Sequence, residues 1–186
     1  MFGSFFWDNL AKKVKMQLSF QPCDLSDLDA LVAISKETFV AAFEKDNDPD
    51  DFQHYIETAF SRTKLQKELE DEDTCFYFAF DSEVLIGYFK LNAGNAQTDV
   101  HDERALEIER IYVIESYQGK RIGAQMLQKI LDLAKDHGKE YVWLGVWEHN
   151  PKAVRFYQRH GFQKFGEHPY YIGKDKQTDW LLRLNI

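Results

Sequence analysis

The sequence predicts an α/β (α+β) fold, a mixed central sheet of about seven strands flanked by about four helices, because strand-like and helix-like apolar patterns succeed one another along the chain. Two segments carry most of that expectation. In Ile111–Ala124 an apolar strand runs through a short turn into a helix start built from small residues. In Tyr141-Val142-Trp143-Leu144-Gly145-Val146-Trp147 an aromatic, β-branched strand precedes a segment in which Asn150 caps, Pro151 opens and Gly161 closes a helix. Size is the third observation: 186 residues with 15 Phe, 9 Tyr and 4 Trp suffice for one well-buried core and are short for two. Residues 16–186 are therefore expected to form a single domain, with the aromatic and then basic residues 1–15 as an extension outside it. That extension does not have the pattern of a secretory signal, since its apolar part is short and its charges follow rather than precede it.

Leu18–Cys23 reads as the opening strand, and Ser26–Phe43 as a helix capped by Ser26 with Asp29 in its first turn. A second helix is expected from near Asp50 to Leu69, with Phe52, Tyr55, Ile56, Phe60 and Leu65 on its apolar side. Strands follow at Thr74–Phe80 and Val84–Asn92, joined by the hairpin-like Asp81-Ser82-Glu83. Ala93–Glu103 is polar and reads as a loop; Ala105–Val113 is the strand that leads into the turn. The apolar residues Ile122, Met126, Leu127, Ile130, Leu131 and Ala134 mark an amphipathic helix that ends near His137-Gly138. After Tyr141–Trp147 and the Asn150–Phe162 helix, two more strands complete the order, giving helices on both faces of a mixed sheet.

The turn after Val113 has the chemistry of an anion site. Glycine lets the backbone approach a ligand closely, and the first turn of a helix offers unpaired N–H groups together with the positive end of the helix dipole. Gln118-Gly119-Lys120-Arg121-Ile122-Gly123-Ala124 therefore suits a pyrophosphate, although the same pattern also fits an ordinary strand-to-helix connection.

With the Asn150, Ala153, Tyr157, Gly161 and Phe162 spacing beside that turn, the chain resembles the GNAT superfamily of N-acetyltransferases. One departure is Arg121, which stands where the first motif of the superfamily usually has glycine. Glu37-Thr38-Phe39, Phe43–Asn47, Leu106–Val113, Trp143–Glu148 and Gln177-Thr178-Asp179 further resemble the PaiA-type spermidine/spermine acetyltransferases, from about Leu18 to the end of the chain. The resemblance implies acetyl-CoA as co-substrate and direct transfer in a ternary complex. It places the pyrophosphate on Gln118, Gly119, Lys120, Arg121, Ile122, Gly123 and Ala124, the acetyl carbonyl and pantetheine arm on the backbone of Ile111, Tyr112 and Val113, and the arm also on Asn150. The Lys120 and Arg121 side chains either add phosphate contacts or form a solvated helix end.

Acetylating an amine needs a neutral nitrogen lone pair and a proton for the departing thiolate. An alkylammonium with a pKa of about 10.4 is mostly protonated at pH 7, and removing its proton costs roughly 4–5 kcal/mol. Tyr157 is the candidate acid by its position in the motif; the alternative is a packed aromatic on the inner helix face. Period-two alternation sends Glu107 and Glu109 to the face shared with Ile111 and Val113. Two carboxylates on a buried strand must pair with cations such as Arg110 or Arg104, or line a solvated cleft. The resemblance makes Glu107 the candidate base, since several members of the superfamily place a general-base Glu at the matching position, with Glu109 or a water chain as alternatives.

The formal net charge of −8 argues against a nucleic-acid backbone as the main partner and suits a cationic small molecule. Glu44 and Asp46, with Asp48, Asp50 and Asp51, form an acidic cluster that either orients a polyamine or is a solvated loop and helix start. Phe39, Phe43 and Trp147 supply either cation–π contacts to an aliphatic amine or core packing. The six His show no metal-site spacing, and the two Cys suggest neither a metal site nor a disulfide framework. No metal and no membrane partner are expected; a cytoplasmic N-acetyltransferase for spermidine or spermine, with a homodimer as a conceivable assembly, is the expectation. The alternatives are another amine acceptor, such as a protein N-terminus, an aminoglycoside or an amino acid, and an acetyl-CoA-binding module without turnover.

Overall fold

The computed structural model describes residues 16–186, so the expected extension 1–15 lies outside the described residues. Seven strands form one sheet in the order β1-β2-β3-β4-β5-β7-β6. They are β1 (Leu18–Pro22), β2 (Thr74–Asp81), β3 (Val84–Asn92), β4 (Ala105–Val113), β5 (Tyr141–Trp147), β6 (Gln163–Ile172) and β7 (Asp175–Asn185). Every neighbouring pair is antiparallel except β4 and β5, which run parallel. The helices are α1 (Leu28–Phe43), α2 (Pro49–Ala59), α3 (Arg62–Leu69), α4 (Ile122–Asp136) and α5 (Pro151–Arg159).

The sheet separates two cores. On one face Ile122, Met126, Leu127 and Ile130 of α4 and Val154 and Tyr157 of α5 pack on Ile108, Val142, Leu144 and Leu182. On the other, Leu31, Ile34 and Phe39 of α1, Phe52 and Ile56 of α2 and Leu65 of α3 cover Phe76, Phe78 and Tyr88. Helices on both faces of a mixed sheet are the expected architecture, with one helix more.

That extra helix comes from a break in the long helix expected over Asp50–Leu69. Ser61 stops it by taking an extended conformation and accepting a hydrogen bond from the Lys64 N–H, which caps a new helix. The break lets both Phe60 and Leu65, each 1% exposed or less, point inward. The start of α1 also differs from expectation. Asp24, not Ser26, is the cap: it accepts from the Ser26 N–H while Asp27 accepts from the Asp24 N–H, and α1 begins at Leu28 after this short turn.

The most consequential departure lies in β4. Arg110 pairs with Lys90 and Ile108 with Leu91, so Glu109 is an extra residue opposite no partner, a β-bulge. A bulge shifts the phase of the alternation. Leu106, Ile108, Ile111 and Val113 consequently all join the α4 core, and Glu107 faces the opposite side with Tyr112. The expectation that Glu107 and Glu109 share a face with Ile111 and Val113 is thereby corrected.

Candidate active site

β4 and β5 pair only over Ala105–Glu107 with Tyr141–Trp143. Beyond those three residues β4 stays with β3 and β5 stays with β7, so the two parallel strands part and open a wedge at their C-terminal ends. In an open α/β sheet such a crevice is where ligands bind.

On the α4 side, the wedge leads to the turn Gln118–Ala124. Gly119 has φ 77° and Arg121 has φ 63°, both left-handed, and α4 begins at Ile122. The N–H groups of Gly119 through Ala124 meet no backbone acceptor among the described residues. That row of free donors at the start of a 15-residue helix is the geometry an anion requires. Gln118 braces the turn by donating to the Val113 carbonyl at 3.1 Å, and Lys120 lies 4.2 Å over the Tyr117 ring. Ile122 sends its side chain into the core, so only its backbone faces a ligand. Asn150 caps α5 by accepting from the Ala153 N–H at 3.1 Å. Tyr157 is 8% exposed beside Phe156 and Phe162, and burial pushes its phenol above the ordinary value.

On the opposite side, a cavity of about 260 Å³ opens among α1, α2, β4, β5 and β6. Its wall is aromatic at Phe39, Tyr55, Tyr112 and Tyr170, and it carries the carboxylates of Glu107, Glu109 and Asp179. Of the expected acceptor-side residues only Phe39 lines it; Phe43 and Trp147 stack edge-on at 6.5 Å nearby, and Glu44 and Asp46 are exposed outside it. Within the acidic cluster, Asp48 caps α2 and Asp51 accepts from the Lys174 N–H.

The carboxylates differ in what already holds them. Glu109 contacts Lys90 at 2.6 Å, Arg110 at 3.1 Å and the Asn92 amide at 2.7 Å. Burial alone would raise its pKa, but Arg110 and Lys90 outweigh that and hold it down at about 2. Arg104 does not take part: it pairs with Asp102 and Glu140. Glu107, 2% exposed, accepts from the Thr98 N–H at 2.9 Å, the Thr98 hydroxyl at 2.6 Å and the Asn92 amide at 3.0 Å. Burial raises its pKa and those hydrogen bonds oppose the rise.

The loop expected at Ala93–Glu103 turns out to build the site. Three consecutive side chains each fix one group on the cavity side of the sheet: Gln97 accepts from the Trp143 indole at 2.7 Å, Thr98 holds Glu107, and Asp99 contacts His168 Nδ1. Asp99, His168, Asp179, Tyr55 and Tyr170 were not singled out for the site from the sequence. One signal was available, the lone Gly145 within an aromatic strand, since an interior strand glycine marks a close approach by another group.

Residues 28–162 match the model of the acetyltransferase (GNAT) family. The chain belongs to that family. It is 40% identical over 157 residues to an uncharacterised N-acetyltransferase of Lactobacillus delbrueckii subsp. lactis, covering 84% of this chain and 91% of the relative. It is 30% identical over 104 residues to the spermine/spermidine N(1)-acetyltransferase of Bacillus subtilis, covering 53% of this chain and 68% of that one. The PaiA N-acetyltransferase of Thermoplasma acidophilum, solved in complex with coenzyme A, superposes with a TM-score of 0.74 at 20% identity over 92% of this chain and 100% of the other. The GNAT resemblance read from the two motifs is borne out, and the protein is an acyl-transferring enzyme. Among the described residues no helix is long and apolar enough to cross a membrane, and no group of three or more His, Cys, Asp or Glu is arranged to hold a metal.

Proposed function

We propose that this GNAT enzyme transfers the acetyl group of acetyl-CoA to a primary amine of a small polycation of the spermidine/spermine class, in a ternary complex. The observation that carries the acceptor class is the cavity itself: an aromatic wall beside carboxylates, opening on the wedge between β4 and β5. Aromatic faces and carboxylates together suit a chain that is aliphatic along its length and cationic at intervals. The B. subtilis relative supports the same class of acceptor.

Acetyl-CoA fits the residues on the α4 side. The N–H groups of Gly119–Ala124 would hold its pyrophosphate, and Asn150 and the backbone of Ile111, Tyr112 and Val113 would hold its arm and acetyl carbonyl. When bound it supplies an electrophilic thioester. A backbone N–H on β4 stabilises the charge that develops on the carbonyl oxygen. Tyr157 keeps its proton because of burial and gives it to the departing thiolate. Glu107, pinned by Thr98 and Asn92, fixes the loop over the site and keeps a carboxylate beside the acceptor.

The test is thiol release from acetyl-CoA with spermidine, spermine, putrescine, lysine, an aminoglycoside and an N-terminal peptide. Selective turnover of spermidine or spermine is expected; selectivity for lysine, the aminoglycoside or the peptide would refute the polyamine class, and selectivity for putrescine would refute the spermidine/spermine assignment within it. Tyr157→Phe is expected to lower kcat by about 10²-fold or more while the affinity for acetyl-CoA holds, as removal of a positioned acid requires.

A further inference from the structure

We propose that Asp179 is the base that takes the proton from the acceptor ammonium, with His168 and Asp99 as the residues that position it. This rests on the amine-acetylation reading above and names the group that reading leaves unassigned.

Three carboxylates line the acceptor cavity, and two are committed. Glu109 is held by Lys90, Arg110 and Asn92, and Glu107 by three donors from Thr98 and Asn92. Asp179 is the third. Its side chain is only 15% exposed, and its nearest cationic partner is His168 Nε2 at 3.9 Å, too far for a hydrogen bond. Its lone pairs are therefore available to a ligand.

The backbone places it deliberately. Asp179 pairs with Trp147 on one side and with His168 on the other, so the carboxylate and the imidazole stand side by side on the acceptor face. Both reach over Gly145, two residues past the last β4–β5 pair. A Cβ built at position 145 would lie 3.3 Å from Asp179 Oδ2 and 3.7 Å from His168 Nε2, so glycine there keeps the space above the wedge open for them. Behind His168, Asp99 contacts Nδ1 and thereby sets which ring nitrogen turns toward Asp179.

The titratable and charged groups that share the cavity with Asp179 are Glu107, Glu109, Arg110 and Tyr112 from β4, Tyr55 from α2, Lys64 from α3, and His168 and Tyr170 from β6, with Asp99 of the loop against His168. Burial pushes the Asp179 carboxyl up to about 6; His168 opposes the rise and Asp99 adds to it. A base is most effective when its pKa lies near the working pH.

The step balances as follows. The ammonium gives one proton to Asp179, the freed nitrogen lone pair forms the N–C bond to the acetyl carbon, the C–S bond breaks as Tyr157 protonates the thiolate, and the nitrogen, now cationic, gives up its second proton through solvent to the Tyr157 phenolate, so that the products are the amide, the free thiol and one proton on Asp179. Asp179 then releases its proton to solvent, which restores the enzyme.

The experiment compares wild type, Asp179→Asn and His168→Gln, using the best amine of the panel, between pH 5.5 and 9. Acetyl-CoA affinity is measured in parallel to show that each variant is folded. Asp179→Asn is expected to lower kcat by about 10²–10⁴-fold at pH 7, and its rate is expected to climb about tenfold per pH unit as free amine accumulates. His168→Gln is expected to cost less and to move the acidic limb of the kcat profile to higher pH, an effect that loss of packing alone would not produce. Full activity in Asp179→Asn, the same factor lost at every pH, or a loss confined to KM would each overturn the assignment of Asp179 alone. Wild type inert toward every amine would instead overturn the amine-acetylation reading, and the base with it.

Discussion

Replacing Glu109 with glutamine tests whether the carboxylate at the β4 bulge is a structural counter-charge. Glu109 and Glu68 together hold two buried cations: Lys90 lies 2.6 Å from Glu109 and 3.0 Å from Glu68, and Arg110 lies 3.1 Å and 3.4 Å from them. The Lys90 and Arg110 side chains are 5% and 8% exposed, so neither cation can recover its hydration when a carboxylate is lost. Breaking one partner of a buried ion pair costs about 3–5 kcal/mol, and the surviving Glu68 puts this case at the lower end. Linkage gives a consistent figure. The Glu109 pKa falls from an ordinary 4.5 to about 2, and at about 1.4 kcal/mol per pH unit that corresponds to roughly 3 kcal/mol. Because the folded pKa is depressed, this stabilisation is fully present above pH 4.5 and is lost as pH falls through 2. Urea and thermal denaturation of wild type and Glu109→Gln are therefore expected to differ by about 3 kcal/mol at pH 7, or roughly 6–12 °C in Tm for a chain of this size. The gap should narrow to about 1 kcal/mol near pH 3. A variant melting within about 2 °C of wild type at pH 7, or a gap that does not shrink in acid, would refute the reasoning.

Asp179 should show the opposite sign. Its folded pKa is raised, so the stability linked to its protonated form is complete below its ordinary 3.8 and lost as pH rises through about 6. Relative to wild type, Asp179→Asn is expected to gain about 2–3 kcal/mol of stability between pH 4 and pH 7, read by denaturation at several pH values; a difference that is flat with pH would exclude a buried, ionising carboxylate. Arg121 pays a backbone penalty at φ 63°, and Arg121→Gly is expected to raise stability by about 0.5–1 kcal/mol in thermal melts, whereas Arg121→Val lowers it. A glycine variant melting below wild type would mean that the arginine side chain contributes more than its conformation costs.

Much of this enzyme was legible before any coordinates. Residues 111–124 and 150–162 carry local chemistry that is complete within a dozen positions: glycine and small residues where backbone must meet an anion, a cap, a proline and a closing glycine where a helix begins and ends. The family and the turn that opens α4 with unpaired N–H groups could be read from those stretches because each depends on neighbours in sequence. Arg121 shows where such reading stops: the sequence marks it only as a departure from a motif glycine, and the structure holds it in the left-handed region.

The acceptor side followed different rules. The bulge at Glu109 arises from how β4 registers against β3, and one unpaired residue reverses which face every earlier side chain occupies. The acidic cluster at residues 44–51 looked like a cation site in one dimension, yet Asp48 caps α2, Asp51 accepts from Lys174 and Glu44 and Asp46 face solvent, while the cavity draws its carboxylates from residues 107, 109 and 179. Asp99, His168 and Asp179 are separated by 69 and 11 positions, and only the pairing of β6 with β7 and the fold-back of the loop bring them together. Sequence by itself thus determined most of the elements, the family and a turn with the chemistry to meet an anion, all of which are local. Tertiary structure decided the cavity on the other face, because strand register and loop closure over a splayed sheet set which carboxylates are neutralised and which has no close cation.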